Sequence, residues 1–202
     1  MMGQPLIPTI PKSETDHDLN KLIQFYNETL GFCPNSVLTM YHRPSIAYAF
    51  IELNKAVMDN HESVSSSLKR LIAYVSSNTA GCTYCQAHTI RAAERYGADE
   101  KQLNEVLDSE RSDAFTEKEK AALSFAVHAS MVPNAINDQM VDRLKNHWTH
   151  GEIVEITGVI ALFGFLNRWN DTMATTLENG AVESAEKLLS NRGWQAGKHS
   201  NQ

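Results

Sequence analysis

Two cysteines three residues apart, followed by a histidine three residues after the second, mark the middle of the chain: Gly81-Cys82-Thr83-Tyr84-Cys85-Gln86-Ala87-His88. Thiolates attack electrophiles, bind metals and pair into disulfides, and an imidazole moves protons near neutral pH. In the residues around and after the motif, Ala87, Ala92 and Ala93 favour helix and Gly97 ends it. A helix starting at the motif puts Cys85 and His88 on one face, about 5–6 Å apart at Cβ. Cys82 then falls at or just before the first turn, where free N–H groups and the positive end of the helix dipole favour a thiolate.

Three readings of this cluster stand side by side. Cysteine can be a small packed hydrophobe, although two at this spacing on a helix start argue for more. Cys82, Cys85 and His88 can supply three zinc ligands, with the fourth brought by the fold from His128, His147 or His150, since no second pair follows closely in sequence. The third reading is a redox dithiol, because C-x-x-C allows an internal disulfide once one sulfur is oxidised. Heme attachment is excluded, as it requires histidine directly after the second cysteine and Gln86 stands there. A thioredoxin would place the motif after a strand, whereas the segment before Cys82 reads as helix.

The elements that must hold the cluster are all helical. Asp16 or Asp18 caps a helix through Leu30, and Ser36 to Tyr41 forms a short one after the Cys33-Pro34-Asn35 turn. Pro44 opens the next, with Ala47, Phe50, Ile51, Val57 and Met58 as its apolar stripe. Ser63 to Ser77 follows; its serines lower helix propensity, so burial must hold it. Asp99 with Gln102, Thr116 with Glu119, and Thr149 with Glu152 have the spacing of capping boxes. Asn137 caps a short helix, the last major helix runs from about His150 to Leu177, and Ala181 to Leu189 adds a final one. Sustained period-two alternation is missing, so the fold class is all-α.

With 202 residues the chain fits one domain, expected over residues 16–190, between an extended proline-bearing arm (1–15) and a flexible tail (191–202). Net charge is −6 and no lysine/arginine block occurs, which argues against nucleic acid as a partner. The longest apolar run, Val159 to Leu166, is too short to span a bilayer, so no membrane partner is expected. An odd number of cysteines and no signal-like amino terminus point to a reduced, cytoplasmic protein.

The run Ser76 to His88 resembles the core motif of the AhpD-like alkylhydroperoxidases, within the carboxymuconolactone decarboxylase superfamily. Leu30-Gly31-Phe32-Cys33-Pro34-Asn35 and Tyr41-His42-Arg43-Pro44 are similar to the amino-terminal part of its longer, peroxidase-related members. Thr116 to Ala122 and Phe165-Leu166-Asn167-Arg168-Trp169 are similar to their second half. The resemblance implies an AhpD-like helical fold, a homo-oligomer (trimer or hexamer), and thiol-dependent hydroperoxide reduction with no cofactor and no bound metal. It makes Cys85 the peroxidatic thiol, Cys82 the resolving thiol and His88 the proton relay. A peroxide is then the substrate, and a lipoyl or thioredoxin-like dithiol the external reductant. Two competing functions are a non-catalytic helical oligomer with a zinc-binding or redox-sensing cysteine pair, and a lactone decarboxylase.

Two positions depart from the family pattern. Twelve residues before the first cysteine, where the family has glutamate, this chain has Arg70. Arginine cannot accept a proton, so Glu52, Glu62 or Glu155 is expected to take over that task in space. The histidine usually stands four residues after the second cysteine; Thr89 is there and His88 at i+3 keeps the shared face.

Overall fold

The computed structural model describes residues 4–11 and 16–200. The expectations for residues 1–3, 12–15 and 201–202 lie outside that range. Helix accounts for 69% of the structure, and no strand occurs among the described residues, as the all-α reading requires.

Ten α-helices follow one another among the described residues. They are α1 (His17–Thr29), α2 (Asn35–Met40), α3 (Pro44–Val57), α4 (Ser66–Thr79) and α5 (Thr83–Arg95), then α6 (Glu100–Glu105), α7 (Glu117–Ala129), α8 (Asp138–His147), α9 (His150–Met173) and α10 (Asn179–Leu189). Their starts obey the sequence. Asp16 accepts from the Leu19 amide, Pro44 opens α3, and the boxes at Asp99, Thr116 and Thr149 all close reciprocally.

α4 is the central helix. Every residue from Leu68 to Ser77 is buried, and α5, α7 and α9 pack around it. Its serines are accommodated locally: the Ser77 hydroxyl donates to the Ala73 carbonyl at 2.8 Å. Burial therefore holds a helix that propensity alone would not. The chain leaves α4 through Ala80 and Gly81 and re-enters as α5; Gly81 has φ +74, a conformation costly for any residue with a Cβ. α5 lies against α4, and α10 covers α5 from the other side.

Two expectations are corrected. The last major helix ends at Met173 rather than Leu177. Ala174 adopts φ +49 and its amide returns to the Asn170 carbonyl, so the chain turns out of the helix into the residues 174–178. The segment after residue 190 is no loose tail as far as Ser200. Trp194 Nε1–H donates to the Thr83 carbonyl at 3.1 Å, and Lys198 pairs with Asp171 at 2.8 Å. His199 is buried, with Nδ1 2.7 Å from the Thr175 carbonyl oxygen, while the Leu177 amide donates to the His199 carbonyl at 2.8 Å. The physical reason is burial: these side chains close over the start of α5 and the loop after α9. At the other end, residues 4–11 run along the fold, the Leu6 amide donating to the Met173 carbonyl at 2.8 Å.

Candidate active site

Cys82 is the N-cap of α5, outside the helix as the sequence placed it. Its sulfur accepts the Cys85 amide at 3.4 Å, and the Cys82–Cys85 pair approaches to 3.2 Å with all three cysteines of the chain free. The two thiols are not equivalent. The Cys82 thiol is held below its ordinary pKa, chiefly by a hydrogen bond from the Cys85 thiol that outweighs burial, with the Cys85 amide adding to it. Cys85 is pushed well up, first by burial and then by its hydrogen bond to Cys82 and the charge there. The pair shares protons and titrates as a unit. Of the two, Cys82 is the more acidic and Cys85 the one that holds its proton longer.

Asn170, one turn from the end of α9, donates from Nδ2 to Cys85 Sγ at 3.5 Å and to the Leu166 carbonyl at 3.0 Å. Asn167 is buried without a partner for its Oδ1, and it is Asn170 that reaches the sulfur.

His88 shares the α5 face with Cys85, and both line a cavity of about 280 Å³. Its ring stacks on Tyr84 at 4.4 Å between centroids and meets Phe32 edge-on at 5.3 Å. Its Nε2 lies 2.6 Å from Glu178 Oε2. None of the three acids expected to serve His88 does so. Glu155 pairs with Lys69 at 3.0 Å, Glu52 with Lys55 at 2.8 Å on the surface, and Glu62 is exposed. The acid is Glu178, ninety residues away, at the end of the loop between α9 and α10, most of which the sequence assigns to helix.

Glu178 is thoroughly fixed. The Tyr84 hydroxyl donates to its Oε1 at 3.0 Å, the Asn35 amide donates to the same oxygen, and the Ser36 amide holds the Tyr84 oxygen at 3.3 Å. Burial pushes its carboxyl pKa up, but the His88 charge and the hydrogen bonds from His88 and the Asn35 amide outweigh that, leaving it below the ordinary value. An ionised carboxylate only accepts, so His88 Nε2 carries the proton and Nδ1 is the nitrogen free to exchange one. Tyr84 stays a neutral donor, because burial and the Glu178 charge raise it far above its usual range.

Arg70 also lines the cavity. It turns toward the cysteine helix, lying over the Tyr96 ring at 3.9 Å from the centroid. It donates to the Ser66 carbonyl at 3.2 Å and the Met58 carbonyl at 3.3 Å. Cys33 stands apart as an inert thiol: burial raises its pKa to about 12. His128, His147 and His150 do not join the cysteines, and among the described residues no three His, Cys, Asp or Glu side chains gather as metal ligands.

An all-helical core with a free C-x-x-C at a helix start, beside a carboxylate-held histidine, defines a class of dithiol protein on a non-thioredoxin scaffold. The chain belongs to the carboxymuconolactone decarboxylase family, whose model matches residues 44–128. It is 32% identical to the debrominase Bmp8, covering 91% of this chain and 97% of Bmp8 at a TM-score of 0.84. Bmp8 has also been solved as a variant in complex with 2,3,4-tribromopyrrole, and that structure superposes equally well. An AhpD-core, peroxidase-related protein from Ralstonia eutropha shares the fold at a TM-score of 0.78 and 22% identity, over 88% of this chain and 94% of its own. The uncharacterized Escherichia coli protein YnjA is 33% identical over 93 residues, 46% of this chain and half the length of YnjA. The family thus includes enzymes, and their activities differ. Among the described residues no helix is long and apolar enough to cross a membrane.

Proposed function

We propose that the chain is a dithiol oxidoreductase that reduces small hydroperoxides. The observation that carries this is the Cys82/Cys85 pair, one sulfur on a cavity that His88 shares and Glu178 orders. Cys85, once deprotonated, attacks the terminal peroxide oxygen; the O–O bond breaks, and the alkoxide leaves as alcohol with a proton from the His88 ring. Cys85 is then a sulfenic acid. Cys82 attacks that sulfur, water leaves, and a Cys82–Cys85 disulfide remains. Two thiols have supplied two electrons: hydroperoxide and dithiol become alcohol, water and disulfide. The lowered Cys82 pKa suits this order, because the resolving step needs a thiolate at the buried position. The raised Cys85 pKa makes a base necessary for the first step, and His88 is the base that lines the cavity. An external dithiol, lipoyl or thioredoxin-like, closes the cycle.

A second substrate reading has its own support, the likeness to a debrominase along nearly the whole chain. The same dithiol, oxidised to the same disulfide, delivers two electrons and a proton to a carbon–bromine bond and releases bromide. Turnover of an alkyl hydroperoxide and of a brominated pyrrole, each with a dithiol reductant, compares the two. Cys85→Ser abolishes either reaction; full turnover by that variant would refute the dithiol assignment.

A further inference from the structure

The geometry points to Arg70 as an anion-recognising residue, so that the cavity beside Cys85 takes small, ring-bearing molecules with a negative charge. This deepens the dithiol reading by naming a substrate class for the same site. Arg70 is only 5% exposed, and burying a guanidinium without a counter-ion is costly. Among the described residues no carboxylate oxygen lies within 4.0 Å of it. Its neighbour Lys69 shows the contrast: equally buried, it is matched by Glu155 at 3.0 Å. The two carbonyls that Arg70 meets, those of Ser66 and Met58, tie α4 to the end of α3 but bring dipoles rather than charge. Two of its five N–H donors are engaged there, and one face of its plane lies on Tyr96.

The carboxylate nearest in role is Asp59, which also lines the cavity; its Oδ1 is taken by the His61 amide at 2.8 Å, and it forms no ion pair with Arg70. The other acids near the site are engaged elsewhere: Asp171, which acts on both thiols, pairs with Lys198 at 2.8 Å, and Glu178 is committed to His88, Tyr84 and Asn35. Among the described residues the cavity therefore holds a guanidinium that meets carbonyls and the Tyr96 side chain but no carboxylate. Its other walls mix apolar and aromatic side chains such as Phe50, Phe163 and Leu166 with polar ones such as Asn54, Lys55 and Asn170. At about 280 Å³ it suits a molecule of one ring and a short substituent rather than a chain or a peptide. A carboxylate at one end, bonded by Arg70 in the paired geometry guanidinium favours, would set the rest of the ring against the sulfur.

Benzoate and benzamide share a ring and differ in charge, so their binding to the reduced, full-length protein by isothermal titration calorimetry separates charge recognition from apolar fit. Wild type is expected to prefer benzoate by on the order of tenfold or more, the range for a hydrogen bond to a charged group. Arg70→Gln erases the preference, and Arg70→Lys keeps part of it. Because Arg70→Gln also removes the ties to α3, its circular dichroism and melting curve are recorded alongside. If it does not fold, the wild-type ratio and Arg70→Lys decide. Equal affinities in wild type, no benzoate binding at millimolar concentration, or an undiminished preference in folded Arg70→Gln would overturn the inference. No turnover is required, because the titration reads binding alone. Failure of the redox cycle and failure of anion recognition are thereby told apart.

Discussion

Glu178 and His88 make one functional unit from two distant stretches of chain. The carboxylate holds Nε2–H and leaves Nδ1 to exchange protons. Glu178→Gln keeps a hydrogen-bonding oxygen and removes the charge that stabilises an imidazolium. We expect kcat to fall by about tenfold or more with little change in KM, the pattern for a lost proton-transfer aid. The thiol pair gives a second expectation with a definite sign. Cys82 is acidified first of all by the Cys85 thiol, so Cys85→Ala should raise the Cys82 pKa toward that of a free thiol. Cys85→Ser retains a hydroxyl donor and should raise it less. Thiolate ultraviolet absorbance against pH reads both. Cys33, raised to about 12, titrates outside the relevant window. Identical Cys82 midpoints in the two variants would remove the hydrogen bond as the cause.

Where the helices begin, local chemistry spoke clearly in the sequence. Asp16, Asp99, Thr116, Asn137 and Thr149 are short polar side chains that can satisfy the first free amides, and each does. The motif's own helix was equally readable, down to Cys82 standing just outside it. Where helices end proved harder. Nothing as plain as glycine or proline follows Met173; Ala174 takes a left-handed turn that tertiary packing imposes. Carrying that helix on to Leu177 hid the loop that delivers Glu178, and so hid the partner of His88. The residues after Ser190 misled for another reason. They are polar and lack periodicity, yet Trp194 and His199 are anchors whose burial only the fold reveals. Removing residues 191–202 should therefore lower the melting temperature by on the order of 5 °C and speed alkylation of Cys82, since Trp194 on the Thr83 carbonyl covers the buried thiol next to it. A truly loose tail would leave both unchanged.

The outer face of the molecule carries an unspent feature. α3 and α9 pack together, and on these two helices Ile46, Leu53, Val154 and Phe165 remain exposed, with Phe165 stacked on Phe50 at 5.9 Å. Val154 and Phe165 are eleven residues apart on α9, which returns them to one side of the helix. Apolar side chains gathered in this way commonly mark an interface. We propose that this face joins copies of the chain, in keeping with the oligomer implied by the resemblance. Light scattering is expected to give a mass of several chains, reduced by Val154→Lys combined with Phe165→Asp. A wild-type mass of one chain would contradict it.

All of this turns on the pair of sulfurs completing a two-electron cycle. Fully reduced protein, freed of reductant and mixed anaerobically with one equivalent of cumene hydroperoxide, tests that most directly. The products are counted by chromatography and the protein by peptide mass spectrometry. The account predicts one cumyl alcohol per chain, a disulfide joining Cys82 to Cys85, and an untouched Cys33. The Cys85→Ser protein should form no alcohol. Wild-type thiols that remain reduced, or alcohol formed at the wild-type rate without Cys85, would contradict it.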